Sequence, residues 1–433
     1  MTEIIIKRRT LLAAAGAGLI AADQFLSSDV LAQEGTAMNS TASKTIAFVG
    51  TYGDEHGKGG GIAAFEAAAD GKSFNFLEHV EKPGEAGYLV YSPKFKALYS
   101  VDERKTDGRG PKGPAAGVHA FSVASGTGKL TALNSVVTPG PFPTYLSILE
   151  KDARLFSANH GSFEHVEHIK QMDDGSWGVE YLYDDSSVIM YGIEADGRLQ
   201  GIADLAFVKG HGLDPNTSPQ AGGHGQASAH AHSAVVDPSG RWLLVGDKGT
   251  DEIHVFEIGD KLKLANSFKM AEQTGPRHIV FAPSNDRFYA TLEFASGIAS
   301  FSFDKETGTI GLIDKKSSVA DDFKAGNEPA DLRLHPNGKV VYLNNRGEDS
   351  LAWYAVAEDG KLARKGHVKL AKSIHPGLAA RSFSFDPSGA YILLADRPAN
   401  AVLAFAADPE TGDLTKIGEA KVASPAFVAF AAV

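Results

Sequence analysis

The chain has 433 residues, a formal net charge of −11 and no cysteine. An acidic balance with no basic stripe argues against nucleic acid or an anionic membrane surface as a partner. The missing cysteines exclude disulfides, zinc–thiolate sites, thiol nucleophiles and iron–sulfur clusters, so packing alone must hold the fold.

The N-terminus reads as an address. Lys7-Arg8-Arg9-Thr10-Leu11-Leu12 opens an apolar run, Ala13 to Ala22, that is too short to span a bilayer, and Val30-Leu31-Ala32 offers a cleavage site. Residues 1–32 are expected to be an export signal, removed in the mature protein. The paired arginines resemble a twin-arginine signal and make that export machinery the expected partner. The Phe often found after the pair is missing, which keeps the Sec route as the alternative. The mature protein is expected to be periplasmic or secreted, with no stable membrane insertion, and residues 33–44 read as a small, polar linker.

From residue 45 onward one phrase recurs: an apolar run, a Pro-x-Gly-type turn, a second apolar run. Strong copies centre on Asp237-Pro238-Ser239-Gly240, Pro283-Ser284-Asn285, His335-Pro336-Asn337-Gly338 and Asp386-Pro387-Ser388-Gly389. A weaker copy centres on Ser92-Pro93 and the weakest on Glu150-Lys151-Asp152. Each predicts a β-hairpin. A third strand follows, such as Glu252 to Phe256, then a turn such as Glu306-Thr307-Gly308 and a fourth strand. Four strands every ~45–55 residues is the period of a propeller blade. The first ordered run, Thr45 to Tyr52, looks like a second strand without a first, and Ser424 to Phe430 like a first strand without a second. Together they complete a seventh blade and close the ring. The expected fold is all-β, a single seven-bladed propeller over 45–430. Residues 161–186 extend the third blade, and 208–229 form a Gly- and His-rich loop before the fourth.

The phrases Val49-Gly50-Thr51-Tyr52, His230-Ala231-His232-Ser233, Gly275-Pro276-Arg277-His278, Asn345-Arg346-Gly347 and Arg381 followed by Phe383 resemble the lactonase family of seven-bladed propellers, which includes bacterial 6-phosphogluconolactonases. The resemblance spans about 45–430 and implies lactone hydrolysis without a metal or cofactor. Blade three departs from it: the His usual near Tyr145 is missing and an insertion is present.

Blade geometry sorts the residues independently. The start of each first strand and the end of each second strand lie on one face, the hairpin tips on the other. The first set reads Tyr88, Tyr145, His232, Arg277-His278, Asp331, Arg381 and Phe427. The second reads Tyr52, Glu103, Asn159-His160, Asp247-Lys248, Glu293, Asn345-Arg346 and Asp396-Arg397. Polar groups converging on a concave face mark the default pocket. Arg277, Arg346 and Arg381 are candidate anchors for a carboxylate or phosphate, with His160, His230 and Lys248 beside them. Glu293 or His232 is the candidate general base, and His278 is placed to hold the carbonyl oxygen or protonate the leaving alkoxide. Tyr52 and Glu103 read as structural, and Asp396-Arg397 as a surface ion pair. No Gly-x-Ser-x-Gly motif is present, which favours direct attack by water. His224, His230 and His232 invite a metal reading, with His230 and His232 on one strand face, but no third ligand is identifiable. The same groups suit two alternatives: a muconate-type cycloisomerase, or a non-catalytic exported docking platform. Export favours an unphosphorylated aldonolactone over a phosphorylated sugar lactone.

Overall fold

The computed structural model describes residues 44–54, 58–105, 116–213, 225–374 and 377–433. The expected signal, the linker up to residue 43 and His224 lie outside them. Among the described residues the strands form seven four-stranded antiparallel sheets and one two-stranded hairpin. Six blades follow the chain: residues 89–137, 143–208, 231–269, 276–317, 328–369 and 382–421, here blades two to seven. Blade one is composite. Pro425–Ala432 lies against Thr45–Thr51, with Thr45 opposite Ala432 and Val49 opposite Val428. The innermost strands touch one another in cyclic order, blade seven against one and one against two. The two orphan runs thus close the ring as expected.

Burial follows strand position. The second strands Trp242–Asp247 and Tyr391–Asp396 are buried along their whole length, because both their faces pack against neighbouring blades. Continuous apolar runs bounded by turns suit that place. Outer strands such as Leu262–Lys269 alternate between exposed and half-buried. Second strands also reach the next blade's outer turn: Trp242 Nε1 donates to Lys305 O at 2.7 Å, Tyr342 OH to Gly412 O at 3.0 Å and Tyr99 OH to Gly197 O at 2.9 Å. These bonds satisfy polar tips on otherwise apolar wedges.

The hairpin tips stitch themselves together. Asp237 accepts from the backbone N–H groups of Ser239, Arg241 and Trp242, and Asp386 accepts from those of Ser388 and Tyr391. These are the Asx turns that Asp-Pro-Ser-Gly chemistry favours. At the weakest repeat, Glu150–Asp152 forms a 3₁₀ turn and Ala153 takes φ 53°, so the missing Gly is replaced by a strained alanine.

Candidate active site

The first strands do not start regularly. Pairing with the second strand slips between Pro143 and Tyr145, Ala231 and Ser233, Pro276 and Ile279, and Pro329 and Leu332. Each slip is a β-bulge, which re-aims side chains at strand ends. The residues freed from the ladder are Thr144, His232, Arg277-His278 and Ala330-Asp331. The expectation that His230 and His232 share a strand face is therefore corrected: the strand begins at Ala231 and the bulge falls on His232, so the two-residue alternation does not apply. Among the described residues no group of three or more His, Asp or Glu is arranged to hold a metal ion.

Glu293, at the end of the second strand of blade five, sits at the centre of a buried charge cluster. Lys248 Nζ lies 3.0 Å and Arg346 NH2 3.1 Å from its Oε1, and Arg277 Nε lies 2.6 Å from its Oε2. Burial opposes its charge, but Lys248, Arg346 and Arg277 hold the carboxyl well below its usual range. Arg346 also pairs with Glu328 at 3.3 Å, and Arg277 donates to Ala330 O at 2.7 Å. Burial lowers Arg277 to about 9, still charged at neutral pH. Three blades meet here, since Lys248 belongs to blade four and Arg346 to blade six.

Beside the cluster runs a file of imidazoles. His160 stacks on His230 at 4.4 Å between centroids and meets His232 edge-on at 5.5 Å; His232 meets His278 at 5.1 Å. Burial depresses all four, His230 to about 4 and His278 to about 3, with Arg277 adding to the effect on His232 and His278. All four are neutral at neutral pH. His278 Nδ1 lies 2.9 Å from Asp331 Oδ1. Asp331 is buried, yet Arg333 at 3.0 Å and His278 keep it below the ordinary carboxylate value. An ionised Asp331 only accepts, so Nδ1 carries the proton and Nε2 presents a bare lone pair. His278 Nε2 and His232 Nδ1 are buried and have no hydrogen-bond partner among the described residues. Beneath them Tyr145, Tyr88 and Phe427 form an aromatic floor: Tyr145 lies 5.1 Å from His278, and Tyr88 packs on both Tyr145 and Phe427.

Arg381 occupies a second, adjoining group. It donates to Tyr52 OH at 2.7 Å and pairs with Glu103 at 3.3 Å, while Tyr52 OH donates to Glu103 Oε2 at 2.6 Å. The expected surface ion pair of Asp396 with Arg397 is not what the structure has. Asp396 is buried and accepts from the amides of Ala371 and Ala399, and Arg397 lies over the Tyr52 ring at 4.6 Å.

The model of the family described as "Lactonase, 7-bladed beta-propeller" matches residues 46–430. The chain belongs to this lactonase family. It is accordingly an enzyme, a hydrolase acting on lactones, which sets aside the non-catalytic docking platform. A Bacillus subtilis protein named 6-phosphogluconolactonase is 27% identical over 377 residues, covering 86% of this chain and 94% of that one. One of the same name from Formosa agariphila is 25% identical over 382 residues, covering 86% and 94%. The solved structure of a Pseudomonas aeruginosa periplasmic gluconolactonase shares the fold with TM-score 0.74 at 24% identity, covering 90% of this chain and all of that one.

In this lactonase the sequence-expected residues fall into three groups. Lys248, Arg277, Glu293 and Arg346 touch directly; His160, His230, His232 and His278 form the imidazole file; Arg381 stands with Tyr52 and Glu103. Asp331 stands at a first-strand start in the sequence, but only its 2.9 Å approach to His278, 53 residues earlier, reveals its role.

Proposed function

We propose that the protein hydrolyses an unphosphorylated sugar-derived lactone by direct water attack, with His278 as general base. The carrying observation is the Asp331–His278 pair, which fixes the tautomer and leaves Nε2 as acceptor beside Arg277. The water oxygen bonds to the lactone carbonyl carbon as its proton passes to His278 Nε2. The tetrahedral oxyanion is stabilised by the neighbouring guanidinium of Arg277. The ring C–O bond then breaks, and the proton moves from His278 to the departing alkoxide, giving the open hydroxy acid. Glu293, the other candidate base, suits this task poorly: both its oxygens are committed to cations and its carboxyl is held far into the acid range. Its fitting role is to gather Lys248, Arg277 and Arg346. His232 lacks a carboxylate orienter among the described residues and stands beside His278 as a second hydrogen-bonding group for water or substrate.

Lys248, Arg277, Arg346 and Arg381 face Glu293, Glu328 and Glu103 nearly charge for charge. That balance supports hydrogen bonding to sugar hydroxyls more than capture of a phosphate dianion. The signal-like N-terminus supports work outside the cytoplasm, where unphosphorylated aldonolactones are met. The Bacillus and Formosa relatives bear the name of the phosphorylated activity, so the test compares glucono-δ-lactone with its 6-phosphate by proton release. His278→Gln and Asp331→Asn are expected to lower kcat by about 10²–10⁴-fold, with preference for the unphosphorylated lactone in the parent enzyme. Unchanged kcat in both variants would end the base assignment, and a strong preference for the phosphate would end the substrate assignment.

A further inference from the structure

The insertion in blade three forms a regular antiparallel hairpin, His165–Gln171 against Trp177–Tyr183. It leaves the blade directly after His160, on the face that carries the site. Its base is built into that site. The Phe163 ring lies edge-on to His160 at 5.3 Å and to His230 at 4.7 Å, with Lys248 Nζ 5.5 Å from its centroid. Lys105, just past the second strand of blade two, fastens both legs through Glu164 and Asp184, each at 2.7 Å.

Beyond the base the two faces differ. Residues directly opposite share a face. One face holds Val166 opposite Leu182 and the Lys170–Glu180 ion pair. The other holds Trp177, Tyr181 and Tyr183 with Ile169 and Val179, and among them His165, Glu167 and Gln171. His165 packs on both tyrosines, at 5.0 and 5.4 Å. Trp177 is 72% and Ile169 83% exposed. An aromatic face left in water marks a binding surface.

We infer that this hairpin is a saccharide-binding arm, and that the substrate is an oligosaccharide ending in an aldonolactone: the lactone ring opens in the basin while attached sugar units lie on Trp177, Tyr181 and Tyr183. The inference rests on the lactonase reading proposed above. Flat aromatic rings stack on the C–H faces of pyranoses, and interleaved His, Glu and Gln meet their hydroxyls. The platform from Trp177 to Tyr183 is about 20 Å long at ~3.4 Å per residue, enough for several pyranose units. Phe163, two residues before His165, packs on the histidine file at the root of the hairpin.

The test uses the mature chain with cellobiono-δ-lactone and glucono-δ-lactone. The parent enzyme is expected to prefer the disaccharide lactone in kcat/KM. Tyr181→Ala and Tyr183→Ala, which alter the rings nearest the basin, should each reduce that preference about fivefold, the effect of one aromatic contact. Phe76→Ala, an exposed aromatic on the outer strand of blade one, should leave it unchanged. If glucono-δ-lactone is hydrolysed but the preference is absent, or survives both hairpin variants, the arm is refuted while the lactonase reading stands. A hairpin variant that dissociates a dimer without changing the preference also refutes it, assigning the face to a second copy. If the parent turns over neither lactone, both readings fall together.

Discussion

The two faces of the ring use polar residues in opposite ways. On the hairpin-tip face the carboxylates of the Asp-Pro-Ser-Gly turns are first satisfied by their own turns: Asp237 and Asp386 bind backbone amides two to five residues ahead. On the site face the bonds run between blades. Glu293 of blade five draws in Lys248 of blade four and Arg346 of blade six, and His278 of blade five leans on Asp331 of blade six. Local bonds close a turn and leave nothing for a ligand. Cross-blade bonds gather charge at the mouth of the ring, at a desolvation cost that only the assembled ring offsets.

Breaking the centre of the site face should therefore cost most. Glu293→Gln leaves three buried cations facing a neutral amide, and loss of one partner from a buried charge cluster typically costs about 3–5 kcal/mol. Urea unfolding of the variant is expected to show that loss. A midpoint within experimental error of the parent would mean the cations are solvated and the cluster is not closed. Acid probes the same face more gently. His160, His230, His232 and His278 have folded pKa values below the unfolded value near 6.5. Between those values the unfolded chain binds more protons, so their contribution is complete above pH 6.5 and is lost as pH falls. From pH 7.5 to 6.0 each ring costs about 0.8 kcal/mol, about 3 kcal/mol for the four. Thermal unfolding across that range should show the decline, and His278→Gln should remove about a quarter of it. A flat profile would place these rings in water.

The fold was legible because its evidence is periodic. The Pro-x-Gly tips mark the blades, and the orphan runs at Thr45 and Ser424 require one another. The site was legible as a set of residues but not as a set of partnerships. A bulge leaves no mark in the sequence: Pro276-Arg277-His278-Ile279 reads like any strand start, and only the register slip shows that Arg277 and His278 leave the ladder. Glu293 looked like a base because a carboxylate among basic residues does, yet the approach of three cations from three blades is a tertiary fact. The insertion at 161–186 shows in the sequence as a break in the blade period, but its exposure, and hence its interest, exists only in the folded chain.

The tip face supplies the smallest and most selective test. Asp237 also accepts from Ser239 Oγ at 2.5 Å and from Asn285 of the next blade at 2.7 Å, and these bonds outweigh burial to keep it below the ordinary carboxylate value. Asp237→Ala strands the buried Trp242 amide, 2.7 Å from the lost oxygen, and leaves Asn285 without that acceptor. A buried donor stripped of its acceptor costs about 1–3 kcal/mol. Stability should drop by roughly that amount, while kcat/KM for the lactone stays at the parent value, because no bond of Asp237 crosses to the site face. The sign of its pH dependence is opposite to that of a group with a raised pKa: the stabilisation is present above the unfolded carboxylate value and fades as acid protonates the folded form. The parent should therefore lose stability faster than the variant at the acid end. A fall in kcat/KM as large as the fall in stability would show that the tips do steer the basin, and the separation of the two faces would fail.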